Sequence, residues 1–228
     1  TDKPEWGANA IFTIENGKMT FHSYYKMPAP QTSQENCVAH NGSMIPIPGR
    51  EVMVQGWYQG GISVFDWTDV KQPKEIAYFD RGPVNPDRLV SGGSWSVYWY
   101  NGLIVSSEIA RGLDIYELLP SGLITQNELD AVKTVQFDYL NAQEQRRMVW
   151  PPSFALARAY VDQLERSNGL AAARIATVRA ELVSAEKVSG ASRASALAKL
   201  AASLKADAAG STDAAKVTAL AATLTDLR

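Results

Sequence analysis

The sequence predicts a mainly β chain ending in an all-α helical bundle, and three observations carry that expectation. Residues 51–66 (EVMVQGWYQGGISVFD) align without a gap on residues 102–117 (GLIVSSEIARGLDIYE), at an offset of 51 positions. Asn-Gly pairs at 16–17 and 101–102 interrupt apolar runs, the signature of two-residue hairpins whose central residues both need φ > 0. Near Trp150 the composition breaks. All 6 Trp and all 11 Pro lie at or before Pro152, no aromatic residue follows Tyr160, and Ala makes up roughly a third of what remains.

The aligned copies place Met53-Val54 over Ile104-Val105, Gly61 over Gly112, and Val64-Phe65 over Ile115-Tyr116. Each reads as apolar strand, polar turn with glycine, apolar strand, then an acidic residue. Residues 10–15 (AIFTIE) give a weaker third copy of the second strand. Self-similarity near this period, in a Gly- and Trp/Tyr-rich β sequence, predicts the blades of a β-propeller.

Taken in order, residues 8–15 and 18–26 are expected to be the outer two strands of one blade, after a polar lead at 1–7. A loop over 27–36 leads to the next blade, with strands at 37–47, 51–57, 61–67 and 74–80. Residues 81–93 cross to a third, with strands at 94–100, 103–107 and 112–118, a helical turn at 126–131 and a fourth strand at 134–139. A closed propeller takes about four to eight blades. Residues 8–139 supply two and part of a third, and unpaired sheet edges invite aggregation. The expectation is therefore a partial propeller, the C-terminal portion of a larger one, completed by an upstream segment or a second chain. The polar opening TDKPEWGANA, which starts in mid-pattern, points the same way.

The boundary is drawn between residues 1–149, the blades, and 150–228, an Ala-rich antiparallel helical bundle. From Pro152 the apolar period becomes 3.6. Phe154, Ala157, Tyr160, Val161 and Leu164 share one face, then Ile175, Val178, Leu182 and Ala185, then Leu197, Leu200 and Leu204, then Val217, Leu220, Leu224 and Leu227. Gly169, Gly190 and Gly210 fall at the junctions, where helix C-caps are expected, and Ser211 or Thr212 is expected to N-cap the last helix. Few large side chains imply a thin core. The bundle either docks through Phe154 and Tyr160 or homo-oligomerises through residues 152–228.

Gly112-Leu113-Asp114-Ile115-Tyr116-Glu117 and Gly61-Ile62-Ser63-Val64-Phe65-Asp66 resemble the G-L-x-I-x-D core of LVIVD repeats, and Leu103-Ile104-Val105 is similar to the strand before it. Trp67-Thr68-Asp69 and Pro73 match the trailing part of that repeat only loosely. The resemblance spans roughly residues 8–118 and leaves out the tail. It implies a bacterial β-propeller that is exported, extracellular, periplasmic or at the cell surface, with no assigned reaction.

A net charge of -2 argues against a nucleic-acid partner, and no apolar run is long enough for a membrane span. Cys37 is the only cysteine: either a small buried hydrophobe or a disulfide candidate toward a segment outside this sequence. With His40 it forms a soft pair of weak metal-ligand candidates, short of the three or four ligands a site needs. His40-Asn41-Gly42 sits at an expected innermost strand. Trp57-Tyr58-Gln59 and Glu108 with Arg111 occupy matching loops of successive copies, where aromatics, a carboxylate and an Arg would converge on a polar ligand such as a sugar. The plainer reading has them pin the turns. The cluster Trp95, Tyr98, Trp99 and Tyr100 is expected to be packing. No nucleotide, calcium or hydrolase motif is present, and no cofactor or catalytic residue is expected.

Three functions compete. One is an exported binding or assembly module for a protein or glycan partner. Another is a metal-dependent propeller enzyme using His40 and residues of the missing blades. The third is a structural component that oligomerises through its tail.

Overall fold

A computed structural model describes residues 6–144 and 146–227; of the expected polar lead, residues 1–5 lie outside that set. The chain divides into two compact units. One comprises Thr1–Pro46, Arg50–Leu119 and Gln136–Arg147 and carries the strands of the described residues; the other comprises Ile47–Gly49, Pro120–Val135 and Met148–Arg228 and carries their α-helices.

In the first unit, β1 (Asn9–Glu15) and β2 (Lys18–Tyr25) form a two-stranded antiparallel sheet. Asn16 and Gly17 have φ of 51° and 74°, the left-handed pair that a tight hairpin requires. Four strands, β3 (Gly42–Ile45), β4 (Val52–Gly56), β5 (Ile62–Asp66) and β6 (Lys74–Phe79), make a meander in sequence order. A third sheet contains β7 (Ser94–Tyr100), β8 (Leu103–Glu108) and β9 (Gly112–Tyr116), with a second Asn-Gly turn at 101–102.

β1–β2 slips between Ile11 and Phe12, and β5–β6 slips between Val64 and Phe65. Ile11, Tyr25, Met27, Cys37, Trp57 and Phe65 form one apolar cluster, in which the rings of Tyr25 and Phe65 stack 3.9 Å apart. The Tyr25 hydroxyl meets Ser63 Oγ at 2.5 Å, and Ser63 donates to Glu75 at 2.6 Å. A buried phenol therefore keeps a partner.

The expected mainly β propeller is overturned. Three antiparallel sheets of two, four and three strands are present, none closed, and helix exceeds strand at 33% against 24%, a mixed α/β architecture. The physical reason lies in what a short repeat encodes. It specifies strand, turn and strand, all local, whereas the arrangement of sheets depends on contacts between them that the period does not carry.

Two strand expectations also change. Of residues 37–47 only β3 is strand; His40 and Asn41 still exchange backbone bonds with Gly56 of β4 at 3.0 and 2.9 Å, and before them the Ala39 N–H turns to the Gly7 carbonyl at 2.9 Å. Residues 134–139 form no strand. The Asn101 side chain instead pairs with the Phe137 backbone, accepting from its N–H at 2.8 Å and donating to its carbonyl at 2.9 Å. The Tyr100 hydroxyl donates to the same carbonyl, so one side chain stands in for a ladder partner.

In the second unit, α1 (Gln126–Lys133) precedes α2 (Phe154–Arg166), α3 (Ala172–Glu186), α4 (Gly190–Asp207) and α5 (Ala214–Asp226). Successive helices from α2 to α5 pack on each other, α5 returns to α2, and α1 lies on α2. Short connections make this an up-and-down bundle. Its core contains Ala157, Val161, Leu164, Ile175, Val178, Leu182, Leu197, Leu204, Leu220 and Leu224 among others, with Phe154, Tyr160 and Leu227 packed at its margin. Each fully buried Leu or Ile contributes about 1.5–3 kcal/mol.

The caps differ from expectation. Asn168 (φ 52°) takes the left-handed position at the end of α2, and the Gly169 N–H bonds back to the Leu164 carbonyl. Gly190 opens α4 rather than closing α3, and Gly210 ends a 3-10 turn at Ala208–Gly210. Asp213 is the N-cap of α5, accepting from the Lys216 N–H, while the hydroxyls of Ser211 and Thr212 bond the Gly169 and Asn168 carbonyls. A carboxylate is the stronger acceptor at the positive end of a helix.

α1 is a full helix with a capping box, Thr125 and Glu128 each bonding the other's backbone N–H. Glu128 is fully buried, bonded by Arg166 through two nitrogens at 2.7 and 3.1 Å and by Gln163 at 2.9 Å. Gln163 also donates to the Pro48 carbonyl at 2.8 Å. No helix among the described residues is long and apolar enough to cross a membrane.

Candidate functional site

Where β4 ends and β7 begins, the two larger sheets of the first unit meet. The Tyr58 N–H bonds the Ser94 carbonyl at 3.1 Å, and the Ser94 N–H bonds the Tyr58 carbonyl at 2.7 Å. Glycine makes the approach possible. A Cβ on Gly93, whose φ is +91°, would collide with the backbone of Tyr58 and Gln59. The turn from Trp57 to Gly61 holds Tyr58 at φ 51°, a left-handed conformation that costs a bulky L-residue about 1–3 kcal/mol and accumulates at functional sites.

Beside this junction runs a groove of about 680 Å³, lined by Glu35, Asn36, Tyr58, Gln59, Trp95 and Ile109 together with residues 89–92. Its wall is an aromatic corner. The Tyr58 and Trp95 rings stand at 85° with centroids 5.7 Å apart. Behind them the His40 ring lies 4.8 Å from Tyr58 and 4.3 Å from Trp95. His40 Nδ1 is 2.5 Å from the Trp95 carbonyl oxygen; a carbonyl only accepts, so Nδ1 carries the proton. Trp95 remains 48% exposed.

A bulge puts Trp95 there. Alternation along β7 sends Val97 and Trp99 inward, and a strict period of two would send Trp95 with them. The β7–β8 pairing slips between Ser94 and Ser96, leaving Trp95 without a partner, and such a bulge re-aims a side chain. Trp95 thus packs on His40 and Tyr58 with one side open to solvent, while Trp99 is buried as expected.

Gln59 fixes the loop over the groove. Its Nε2 donates to the Val90 carbonyl at 2.7 Å, its Oε1 accepts from the Val84 N–H at 2.8 Å, and its own N–H reaches the Asn36 carbonyl at 3.1 Å. These three bonds all serve the turns.

A smaller cleft of about 20 Å³ shares Tyr58 and Gln59 with the groove and is lined further by Glu108, Arg111, Arg81 and Asp114. Glu108 is buried; its Oε1 accepts from the Gly93 N–H and lies 3.5 Å from Arg111. Its Oε2 is buried with no hydrogen-bond partner. Arg81 grips Asp114 with two parallel bonds of 2.7 and 2.8 Å, and the Tyr116 hydroxyl adds a third at 2.9 Å. The Arg81 hydrogen bonds hold the Asp114 carboxyl below its ordinary range, while burial, then Asp114, pushes the Tyr116 phenol up.

Tyr58, Gln59, Glu108 and Arg111 thus share the small cleft, and His40 packs behind the Tyr58 ring. Asn41 sits apart from the lining, donating to the Tyr98 hydroxyl at 3.0 Å. Trp57 is fully buried in the core. Cys37 is an unpaired, buried thiol in the same core. Burial, with Glu35 and Asp80 nearby, pushes it up to about 12. No cluster of three or more His, Cys, Asp or Glu placed to hold a metal occurs among the described residues. Compared with family models, curated proteins and solved structures, the chain matches none of them.

Proposed function

We propose that the strand-bearing unit is a recognition module that takes a glycan chain along the groove at Tyr58 and Trp95, with no chemical step of its own. The aromatic corner carries this reading. A sugar ring offers apolar C–H faces and a rim of hydroxyls, and two rings set at right angles, one nearly half exposed, suit a partner with both. Glu35, Asn36 and Ser91 line the same groove and can meet the hydroxyl rim. The strained backbone of Tyr58 supports a role for this corner beyond packing. The resemblance to exported repeat proteins favours an extracellular, periplasmic or cell-surface setting, where glycans are abundant.

The test is titration of the protein with β-linked oligosaccharides, read by calorimetry, alongside Trp95→Ala. Saturable binding that falls about tenfold in the variant is expected, the scale of one lost aromatic contact. Binding unchanged by the substitution would remove the groove from consideration.

A further inference from the structure

Glu108 is the one buried carboxylate at this site with an oxygen left over. Its Oε1 is committed to the Gly93 N–H and to Arg111, while Oε2 is buried without a hydrogen-bond partner. Leaving a buried acceptor unmade is costly, more so for a charged group. Across the same cleft Arg81 directs both terminal nitrogens to Asp114. The cleft's volume of about 20 Å³ accommodates one water-sized group, and a primary ammonium has that size. Among the described residues lining the adjoining groove Glu35 is acidic and none is basic.

We propose that the preferred ligand is an amino sugar chain, with a protonated primary amine donating to Glu108 Oε2 while the ring faces lie on Tyr58 and Trp95. The inference rests on the glycan reading and adds the ligand's charge to it. An ammonium supplies a charge-assisted hydrogen bond at the atom that lacks one. An N-acetyl group is larger than the cleft and carries no charge; a neutral hydroxyl fits but gives the weaker bond. Glu108 is in this sense a specificity-determining residue, separate from the aromatic corner that supplies contact area.

The experiment compares three oligomers of equal length and linkage by calorimetry: fully deacetylated chitosan hexamer, chitin hexamer and cellohexaose. Wild type, Glu108→Gln and Trp95→Ala are titrated in parallel, each first shown to be folded by its unfolding transition. The glutamine retains a carbonyl for the Gly93 N–H but presents an amide where Oε2 was. Wild type is expected to bind the amine-bearing hexamer about tenfold or more tightly than the other two, the scale of one charge-assisted hydrogen bond. Glu108→Gln should abolish that preference, bringing the amine-bearing hexamer to the affinity of cellohexaose measured on the same variant, while Trp95→Ala weakens all three. Equal affinities for the three hexamers, still sensitive to Trp95→Ala, would overturn the amine assignment and leave the glycan reading standing. Binding of none of them would overturn both.

Discussion

His40 holds Trp95 twice, through Nδ1 on its carbonyl oxygen at 2.5 Å and through its ring at 4.3 Å from the indole. The first contact fixes the bulged backbone and the second fixes the side chain. His40→Ala should therefore free the indole without opening the core. Acrylamide quenching of tryptophan emission is expected to rise in His40→Ala, and that rise is expected to be absent when the same substitution is made in a Trp95→Phe background. An unchanged quenching curve would show that the bulge holds the indole unaided.

Cys37 should be silent in the folded protein. Burial, then the charges of Glu35 and Asp80, pushes its thiol up to about 12, and the thiolate is the reactive form. At pH 8 a disulfide reagent is expected to label it only at the rate of unfolding, and at once in denaturant. Rapid labelling of native protein would contradict the buried position.

Tyr25 predicts how stability falls in alkali. Burial, opposed in part by Ser63, raises its phenol well above the ordinary 10.0. The folded state therefore prefers the neutral form. That contribution is complete below pH 10 and is lost as pH rises toward the folded value, because the unfolded chain ionises first. Unfolding midpoints should drop above pH 10 in wild type and drop less in Tyr25→Phe. At neutral pH the substitution should cost about 1 kcal/mol for the lost hydrogen bond, since Ser63 still bonds Glu75.

In the helical unit the sensitive position is Glu128, fully buried beneath Arg166 and Gln163. Glu128→Ala removes the α1 capping box and leaves Arg166 without that partner. Arg166 keeps 31% of its side chain in solvent, so the cost should fall at the low end for a broken buried pair, about 3 kcal/mol. Chemical denaturation followed by circular dichroism measures it. A loss below about 0.5 kcal/mol, the size of an exposed pair, would count against a buried network.

Much of this architecture was legible in the residues. Leu197, Leu200 and Leu204 recur at helical spacing and are buried as that spacing demands. Asn16-Gly17 and Asn101-Gly102 are turns because few other pairs accept two positive φ values in succession. What escaped depended on contacts distant in sequence. Nothing around Phe137 tells that Asn101 will occupy its backbone, 36 positions away. No local signal separates Gly190, at the start of a helix, from Gly169, at the end of one. The assembly of sheets was misread for the same reason: the period of 51 describes hairpins and says nothing of how hairpins are arranged. At the site, Tyr58, Gln59, Glu108 and Arg111 stood out because matching loops of a repeat are apt to converge. Arg81 and Asp114 did not, because they pair only where β6 and β9 come together.

The bulge at Trp95 makes the groove a matter of counting. The residue left unpaired between Ser94 and Ser96 is Trp95 itself, so excising that one residue restores the pairing and dismantles the corner with Tyr58. Every other side chain in the strand would keep its identity. A lineage could acquire or discard this surface by a single codon insertion or deletion, a change that comparison of aligned residue types would score as a gap and pass over.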